Sequence, residues 1–390
     1  MLRSDRSPAA VAFGGLFALA AAMGIGRFVY TPILPFMVEG LGLPADDAGL
    51  IASANFLGYL AGALAGASRS LPGSPRLWFL GGLFVSALTS AAMAMTEYLP
   101  LFLLIRFVSG VASAFALVFS ASLIIDRLTA AGRSDLSALF FAGVGCGIAF
   151  SALLVSACAQ FGADWRTLWL ASGASTLVFL MVAAVLVPAE VPAAAIPSEA
   201  PAVPPAGSPF ASAARIRLII AYGLFGFGYV ITATFVNTIA RTVSTLQTTE
   251  PYVWFTVGLC AAPSIYVWNR IAALTGVRKA FALACVLESA GVALTVISAS
   301  PVVFLLGAAL LGATFMGITA LGLAEARREA SPDGAAAIRR MLAVLTASFG
   351  VGQVAGPWFA GQLHHLTGSF GASSLAAAAA LLIAAVLVAR

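Results

Sequence analysis

The stretch GIGRFVYTPILPFM, residues 24–37, places an arginine, Arg27, inside a long run of apolar residues. Two glycines precede Arg27 and a Tyr-Thr-Pro step follows it. If the run crosses a membrane as a helix, an arginine near its middle costs roughly 2.5–3.5 kcal/mol on insertion scales. The side chain must then face a wet cavity or a partner, so this stretch predicts a membrane helix with a functional or structural charge.

The composition is that of a chain that lies largely in a membrane. It has 390 residues, of which 61% are hydrophobic and 9% charged, and its mean hydropathy is +1.02. Apolar runs long enough to cross ~30 Å of hydrocarbon as helices recur along the whole chain. We therefore predict an all-α membrane protein with twelve transmembrane helices, at residues 10–38, 46–68, 76–96, 99–125, 135–160, 165–188, 215–241, 251–270, 279–298, 301–323, 338–363 and 370–389.

The charges of the gaps between these spans predict the orientation. Arginine and lysine are concentrated in alternate gaps and at the chain ends, whereas the other gaps hold only Arg166 and Arg241. The positive-inside rule then puts both termini in the cytoplasm of a bacterial cell, with the chain multi-pass in the inner (plasma) membrane. Because the net charge of +5 is spread over short gaps, no nucleic-acid partner is expected. The first span has no small-residue cleavage site after it and is expected to be retained.

Two similar halves are separated by a linker. Residues 189–214 are rich in proline, alanine and serine and predict a cytoplasmic linker between two six-helix bundles, at 1–188 and 215–390. GIGRFVYTP (24–32) aligns with GFGYVITAT (226–234), and LFLLIRFVSG (101–110) with VFLLGAALLG (303–312), both at an offset of 202. These matches indicate a duplicated six-span unit in parallel orientation, an architecture whose binding site lies between the halves.

With these features the chain resembles the major facilitator superfamily, and within it the YbfB/YjiJ-type branch. The resemblance is carried by GIGRFVYTPILPFM, by YGLFGFGYV (222–230) and by GVGQVAGPWFAG (350–361). It implies the major facilitator fold, two pseudo-symmetric bundles, alternating access, and a central cavity lined by spans 1, 4, 7 and 10. The loop between spans 2 and 3 departs from the superfamily pattern, with Gly66 about where an aspartate is expected.

Two arginines are the main candidate anion ligands. Arg27 in span 1 and Arg106 in span 4 are expected at similar depth, and a bound carboxylate between them would satisfy both. Tyr30 and Thr31 share a helix face with Arg27, as Ser109 does with Arg106. Arg27 could instead snorkel or bond carbonyls freed near Gly24, Gly26 and Pro32, and Arg106 could simply tie helix ends together.

Further candidates lie on other spans. In span 7 an aromatic and polar stripe is predicted to shape the substrate pocket, and it comprises Tyr222, Phe225, Tyr229 and Thr232. Asn55 and Gln353, on spans 2 and 11, are expected to line the pathway. Glu288, near the centre of span 9, is a candidate for proton coupling, with a neutral structural glutamate as the alternative. Glycines recurring every four residues in span 2, at Gly58, Gly62 and Gly66, are expected to let the bundles pack closely and rock.

These features predict a secondary active transporter, a symporter or antiporter, that moves a small organic anion with an apolar body by alternating access. The expected partners are this substrate, protons or a counter-anion, and the lipid bilayer, and the chain is expected to act as a monomer. No enzyme activity, cofactor or metal site is predicted. The alternative is efflux of amphipathic or neutral lipophilic compounds.

Overall fold

The computed structural model describes residues 6–67, 71–188, 208–210 and 212–390. All regular structure in these ranges is helical, which confirms the predicted fold class. Most of the predicted linker, residues 189–207 and 211, lies outside the described ranges.

Fourteen α-helices account for most of the described residues. Those of the N-terminal half are α1 (Pro8–Leu19), α2 (Tyr30–Leu41), α3 (Ala45–Gly66), α4 (Pro75–Met93), α5 (Leu99–Ala130), α6 (Ser137–Gln160) and α7 (Trp165–Leu186). Those of the C-terminal half are α8 (Ala213–Thr242), α9 (Glu250–Ala261), α10 (Ser264–Thr275), α11 (Val277–Ile297), α12 (Pro301–Ala330), α13 (Gly334–Thr367) and α14 (Gly371–Ala389).

The predicted spans coincide with these helices, except that two spans each consist of two helices. Span 1 contains α1 and α2, and span 8 contains α9 and α10. The described residues contain ten helical stretches long and apolar enough to cross a membrane, or eleven if α9 and α10 form one span bent by 46°. Proline at position 263 explains that bend, since it removes a backbone donor. The stretch Pro301–Thr367 counts once, although the 3₁₀ turn Ser331–Asp333 divides it into α12 and α13. If α9 and α10 count as one span and the long stretch is divided at this turn, the number of candidate spans is twelve, as predicted.

Local sequence signals set where several helices begin and end. Ser74 accepts a hydrogen bond from the backbone N–H of Leu77, at 3.2 Å, and a proline follows it at the first helical position of α4. Asp164 caps α7 by accepting from the N–H of Thr167 at 2.9 Å. At the other end, Gly42 closes α2 in the left-handed conformation with φ of +64°, which only glycine adopts without strain.

The packing repeats from one half to the other. In the N-terminal half α1 packs on α6, and α4 on both α5 and α7; α8 correspondingly packs on α13, and α11 on both α12 and α14. The halves meet where α3 packs on α13, where α6 packs on α9, and where α2 crosses α8. These pairings fit the duplication inferred from the repeats, and they leave the interface between the halves as the place for a substrate.

Glycines allow the halves to approach within backbone contact. A Cβ added at Gly49 would lie 2.3 Å from the carbonyl oxygen of Pro357, and one at Gly145 would lie 2.3 Å from the backbone nitrogen of Ala262. The glycine face of span 2 has a different partner from the one expected. A Cβ at Gly58 would meet the Phe107 carbonyl oxygen at 2.0 Å, so this face packs on α5 within the same half.

Candidate functional site

The first span is broken at the motif that contains Arg27. After α1 the chain forms a π-helical stretch, Ala20–Ile25, and then a hydrogen-bonded turn at 26–29 before α2 begins. Pro32 contributes to this break because it cannot donate to the carbonyl of Phe28, which instead accepts from Thr31 N–H at 3.2 Å. Gly24 fits here because a Cβ would lie 2.3 Å from Gly147 of α6. The break leaves backbone carbonyls without helical partners inside the bundle.

Arg106 satisfies those carbonyls. It is 2% exposed, and its Nη1 donates to the carbonyl of Gly26 at 3.2 Å while Nη2 donates to that of Arg27 at 3.1 Å. Ser109 Oγ also donates to the Gly26 carbonyl, at 3.1 Å. Of the two arginines, therefore, it is Arg106 that ties the broken span together.

The surroundings of Arg106 hold it in this position. Its Cζ lies 5.2 Å from the ring centroid of Tyr30 and 5.7 Å from that of Trp169. The Tyr30 hydroxyl donates to the carbonyl of Ala48 at 2.9 Å, and Asn55 Nδ2 donates to the carbonyl of Arg106 at 3.0 Å. Tyr30, Asn55 and Ser109 thus form a buried scaffold around the break.

Arg27 has a different environment. Its Cζ lies 3.9 Å from the ring centroid of Tyr59, 4.7 Å from that of Phe56 and 5.4 Å from that of Phe28, so its guanidinium is held by cation–π contacts. The side chain is 4% exposed, and neither Nε nor Nη2 has a hydrogen-bond partner in the described protein. Buried donors without partners cost free energy, which makes Arg27 a ready ligand for an acceptor group.

A cavity of about 430 Å³ lies beside Arg27, between the two halves. We call it the central cavity, and its volume falls within the range of small-molecule sites. It is lined by Met23, Arg27, Phe28, Tyr59, Leu117, Ser137, Ala138, Phe141, Val144, Tyr222, Tyr229, Ile265, Asn269, Phe315, Met316, Thr319, Ala320, Leu323, Ala324, Arg327, Thr346 and Phe349. The lining is mostly apolar, and its only formal charges are two guanidinium groups, with no aspartate or glutamate among these residues.

The central cavity extends to one side of the bundle only. It reaches the start of α6 and the last turns of α12, where Arg327 lies; we call this the arginine-rich side. The opposite side, which we call the acidic side, carries carboxylates at or between the helix ends: Glu39, Asp46, Asp47, Glu97, Asp164 and Glu250. On the acidic side the halves are in contact. Thr31 Oγ1 donates to the carbonyl of Ala233 at 2.6 Å. The two residues are 202 positions apart, which is the offset of the repeat, so they occupy equivalent positions in the two halves. Their contact therefore lies close to the pseudo-two-fold axis that relates the halves.

An ion pair adds to the closure on the acidic side. Arg241 lies at the end of α8, and its Nε is 2.7 Å from Oε1 of Glu39 at the end of α2. The Arg241 guanidinium also stacks over Phe36, with its Cζ 4.0 Å from the ring centroid. Nearby, Ser53 Oγ donates to the carbonyl of Val354 at 2.7 Å, again between the halves. This conformation is therefore closed on the acidic side.

The structure places the predicted site residues in two groups. Arg27, Tyr222 and Tyr229 line the central cavity. The other predicted ligands lie behind its surface: Tyr30, Thr31, Asn55, Arg106, Ser109, Phe225, Thr232 and Gln353. Several of these support the lining residues, since Gln353 Nε2 donates to the Tyr229 hydroxyl and Phe225 stacks on Tyr229 with centroids 5.2 Å apart.

Most other lining residues were not predicted from the sequence, but a helical signal points to two of them. Tyr59 follows the predicted Asn55 by four residues, and Phe349 precedes the predicted Gln353 by four. On α3 and α13 the central cavity therefore lies one helical turn nearer the arginine-rich side than predicted.

Glu288 is buried away from the central cavity. It lies on α11 with no solvent exposure, and neither carboxyl oxygen has a hydrogen-bond partner in the described protein. The neighbouring Ser289 Oγ donates to the carbonyl of Ala378 on α14, at 2.8 Å. An unpaired carboxyl group in such a place is costly when ionised, which favours its neutral form.

Comparison with solved structures identifies the fold as that of major facilitator transporters. The nucleoside transporter NupG matches with a TM-score of 0.76 at 15% identity, covering 97% of this chain and 98% of its own. A bacterial homologue of the human lysosomal transporter Spinster matches at 0.68, with 12% identity and coverage of 96% and 94%. The human organic anion transporter MFSD10 (TETRAN) matches at 0.64, with 16% identity and full coverage of both chains, 100% each.

Sequence comparison gives the family. A search of curated proteins finds no significant match to this chain. The model of one transporter family, described as uncharacterised MFS-type transporter YbfB, matches residues 19–389. This range includes the break in the first span, most of both halves and all residues of the central cavity. The chain is therefore a membrane transporter of the major facilitator type and belongs to the YbfB family, as the resemblance implied.

Proposed function

We propose that this protein is a secondary active transporter of a small organic anion with an apolar body. The observation that carries the proposal is the state of Arg27, whose buried Nε and Nη2 have no partner while its ring contacts hold it at the central cavity. A carboxylate would accept from both nitrogens in the bidentate geometry that guanidinium favours. Binding would require a small side-chain rotation toward the cavity, since the side chain is 4% exposed.

The charge of the lining supports an anion. Arg27 lies at the inner end of the cavity and Arg327 near its mouth, and no lining carboxylate balances them. An arriving anion would meet a positive potential along its path, whereas a cation would find no counter-charge. Arg106 is assigned a positioning role in this proposal, because the carbonyls of the broken span already engage it. One of the solved neighbours is itself a human organic anion transporter.

The contacts between the halves support alternating access. In the conformation described, the acidic side is closed and the cavity extends to the arginine-rich side, which we assign to the cytoplasm by the positive-inside rule. Both termini would then be cytoplasmic and the protein would act, as a monomer, in the bacterial inner membrane. Backbone-close crossings at Gly49 and Gly145 would let one half rock against the other.

Glu288 is our candidate for proton coupling. Its unpaired carboxyl group would be neutral in the conformation described, and access to water in another conformation would allow it to release the proton. Exchange of one anion for another is the competing mode, in which Glu288 is only a packing residue. No catalytic step is proposed.

Uptake into proteoliposomes tests the proposal. Wild type, Arg27→Ala and Arg27→Lys would be compared across a panel of carboxylates and neutral lipophilic compounds. Loss of two charge-assisted hydrogen bonds at Arg27, each worth about 1.5–3 kcal/mol, is expected to weaken anion affinity by roughly a hundred-fold or more. Arg166→Gln, which removes an arginine remote from the cavity, should leave uptake near the wild-type level. Unchanged anion uptake by Arg27→Ala would refute the proposal.

The apolar lining also supports a second candidate function, the efflux of lipophilic compounds. Met23, Met316, Phe141 and Leu323 line the cavity with flexible or aromatic apolar surface, which suits neutral lipophilic or amphipathic compounds. If Arg27→Ala retained anion uptake but abolished the transport of such compounds, efflux of lipophilic molecules would be the better assignment.

A further inference from the structure

One wall of the central cavity is made of parallel aromatic rings. Tyr229 of α8 stacks with Phe315 of α12 at a centroid distance of 5.7 Å and an interplanar angle of 7°, and with Phe349 of α13 at 5.9 Å and 5°. We call Tyr229, Phe315 and Phe349 the aromatic wall; all three line the cavity. The planes of these three rings, which come from three different helices, are therefore nearly parallel.

The aromatic wall is held in this orientation from behind. Phe225 stacks on Tyr229 at 25° and on Phe349 at 27°, with centroid distances of 5.2 and 5.4 Å. Gln353 donates to the Tyr229 hydroxyl, which holds the outer end of that ring in place. Because these supports are buried, the wall is a preformed stack of nearly parallel rings rather than a flexible apolar lining.

The aromatic wall and Arg27 are close enough to share one ligand. The Phe28 ring bridges them, with its centroid 5.4 Å from the Arg27 Cζ and 6.3 Å from the Phe315 centroid. The guanidinium carbon is thus within about 12 Å of the wall, and Tyr59 backs it on the other side. A ring that carries a carboxylate can reach both at once.

We propose that the substrate class is aromatic carboxylates, in which a flat ring lies parallel to the aromatic wall while the carboxylate binds Arg27. This inference rests on the proposed anion transport, and it specifies that the apolar body of the substrate is a flat aromatic ring. Stacked aromatic pairs are favoured over contacts that bury the same area without a π-system.

The test uses a pair of acids that differ in ring saturation. Isothermal titration of the purified full chain with benzoate and with cyclohexanecarboxylate would give two dissociation constants at equal probe charge. Benzoate is expected to bind about two- to twelve-fold more tightly. Phe349→Leu should lower this ratio. Phe359→Leu is the matched control, since Phe359 lies on the same helix but contacts the Phe227 ring, at a tilt of 53°, outside the cavity, and it should keep the ratio.

The outcomes separate the two proposals. Equal affinity for benzoate and cyclohexanecarboxylate, or an unchanged preference in Phe349→Leu, would overturn the aromatic assignment and leave anion transport standing. Tighter binding of the neutral benzamide than of benzoate would overturn anion recognition itself. Failure of both acids to bind at millimolar concentration would count against both proposals.

Discussion

Replacing Arg241 with glutamine removes the ion pair that joins the two halves on the acidic side. The Glu39 side chain is 58% exposed and that of Arg241 27%, so the pair itself contributes only about 0–1 kcal/mol. The stacking of Arg241 over Phe36 at 4.0 Å adds about 0.5–1 kcal/mol. Both contacts join α2 to α8, and both would be lost when this side opens. Arg241→Gln should therefore favour the opened state by about 0.5–2 kcal/mol, roughly a two- to thirty-fold change in the population ratio.

Distances between spin labels measure this shift. Phe161 and Leu366 are 91% and 79% exposed and lie at the acidic-side ends of α6 and α13, one in each half. Labels attached to cysteines at these two positions, after replacement of the four native cysteines, would report the opening by pulsed electron resonance. The fraction of long distances should rise in Arg241→Gln, and added salt should move the wild type in the same direction.

A second ion pair on the acidic side provides the control. Arg166 bonds Glu97 and stacks on Trp165 at 4.5 Å, but all three residues belong to the N-terminal half. Arg166→Gln removes similar contacts without touching the interface between the halves, so its distance distribution should match the wild type. If Arg241→Gln behaved like Arg166→Gln, the reasoning that this pair holds the acidic side closed would be refuted.

Three further variants test other parts of the structure. Arg106→Met should lower the free energy of unfolding by about 1–3 kcal/mol, because the carbonyl of Arg27 loses its donor, and a thermal melt in detergent that showed no change would contradict this role. Glu288→Gln should abolish uptake driven by a proton gradient but retain counterflow; retained gradient-driven uptake would exclude Glu288 as the coupling group. Gly24→Ala should lower the melting temperature, since its Cβ would meet backbone at 2.3 Å, whereas Gly81→Ala, with nothing within 4 Å, should not.

Hydropathy and the repeat were sufficient to predict the fold. Long apolar runs predicted an all-helical membrane protein, and the structure has ten or eleven candidate spans among the described residues. The offset of 202 predicted two related units, and Thr31 and Ala233 are in contact across that same offset in the structure. Helix breaks were less predictable. Gly24, Gly26 and Pro32 marked span 1 as irregular, but the length of the break depends on carbonyls that a distant helix must satisfy.

The site could be predicted only in part, because two arginines at similar depth look alike in a sequence. Arg106 has the carbonyls of the break within reach, whereas Arg27 has aromatic rings, and this difference arises from tertiary contacts. The depth of the cavity on α3 and α13 depends likewise on how the halves are tilted. Tyr59 and Phe349 were missed for this reason, although the helical period places each one turn from a predicted residue.

The most direct measurement is a cryo-electron microscopy structure of the full chain with the anion that shows the strongest uptake. The proposed function predicts carboxylate oxygens about 2.7–2.9 Å from Arg27 nitrogens, with the guanidinium turned from its present position over Tyr59 toward the cavity. An anion bound elsewhere, with Arg27 still stacked on Tyr59 and without a hydrogen-bond partner, would contradict it.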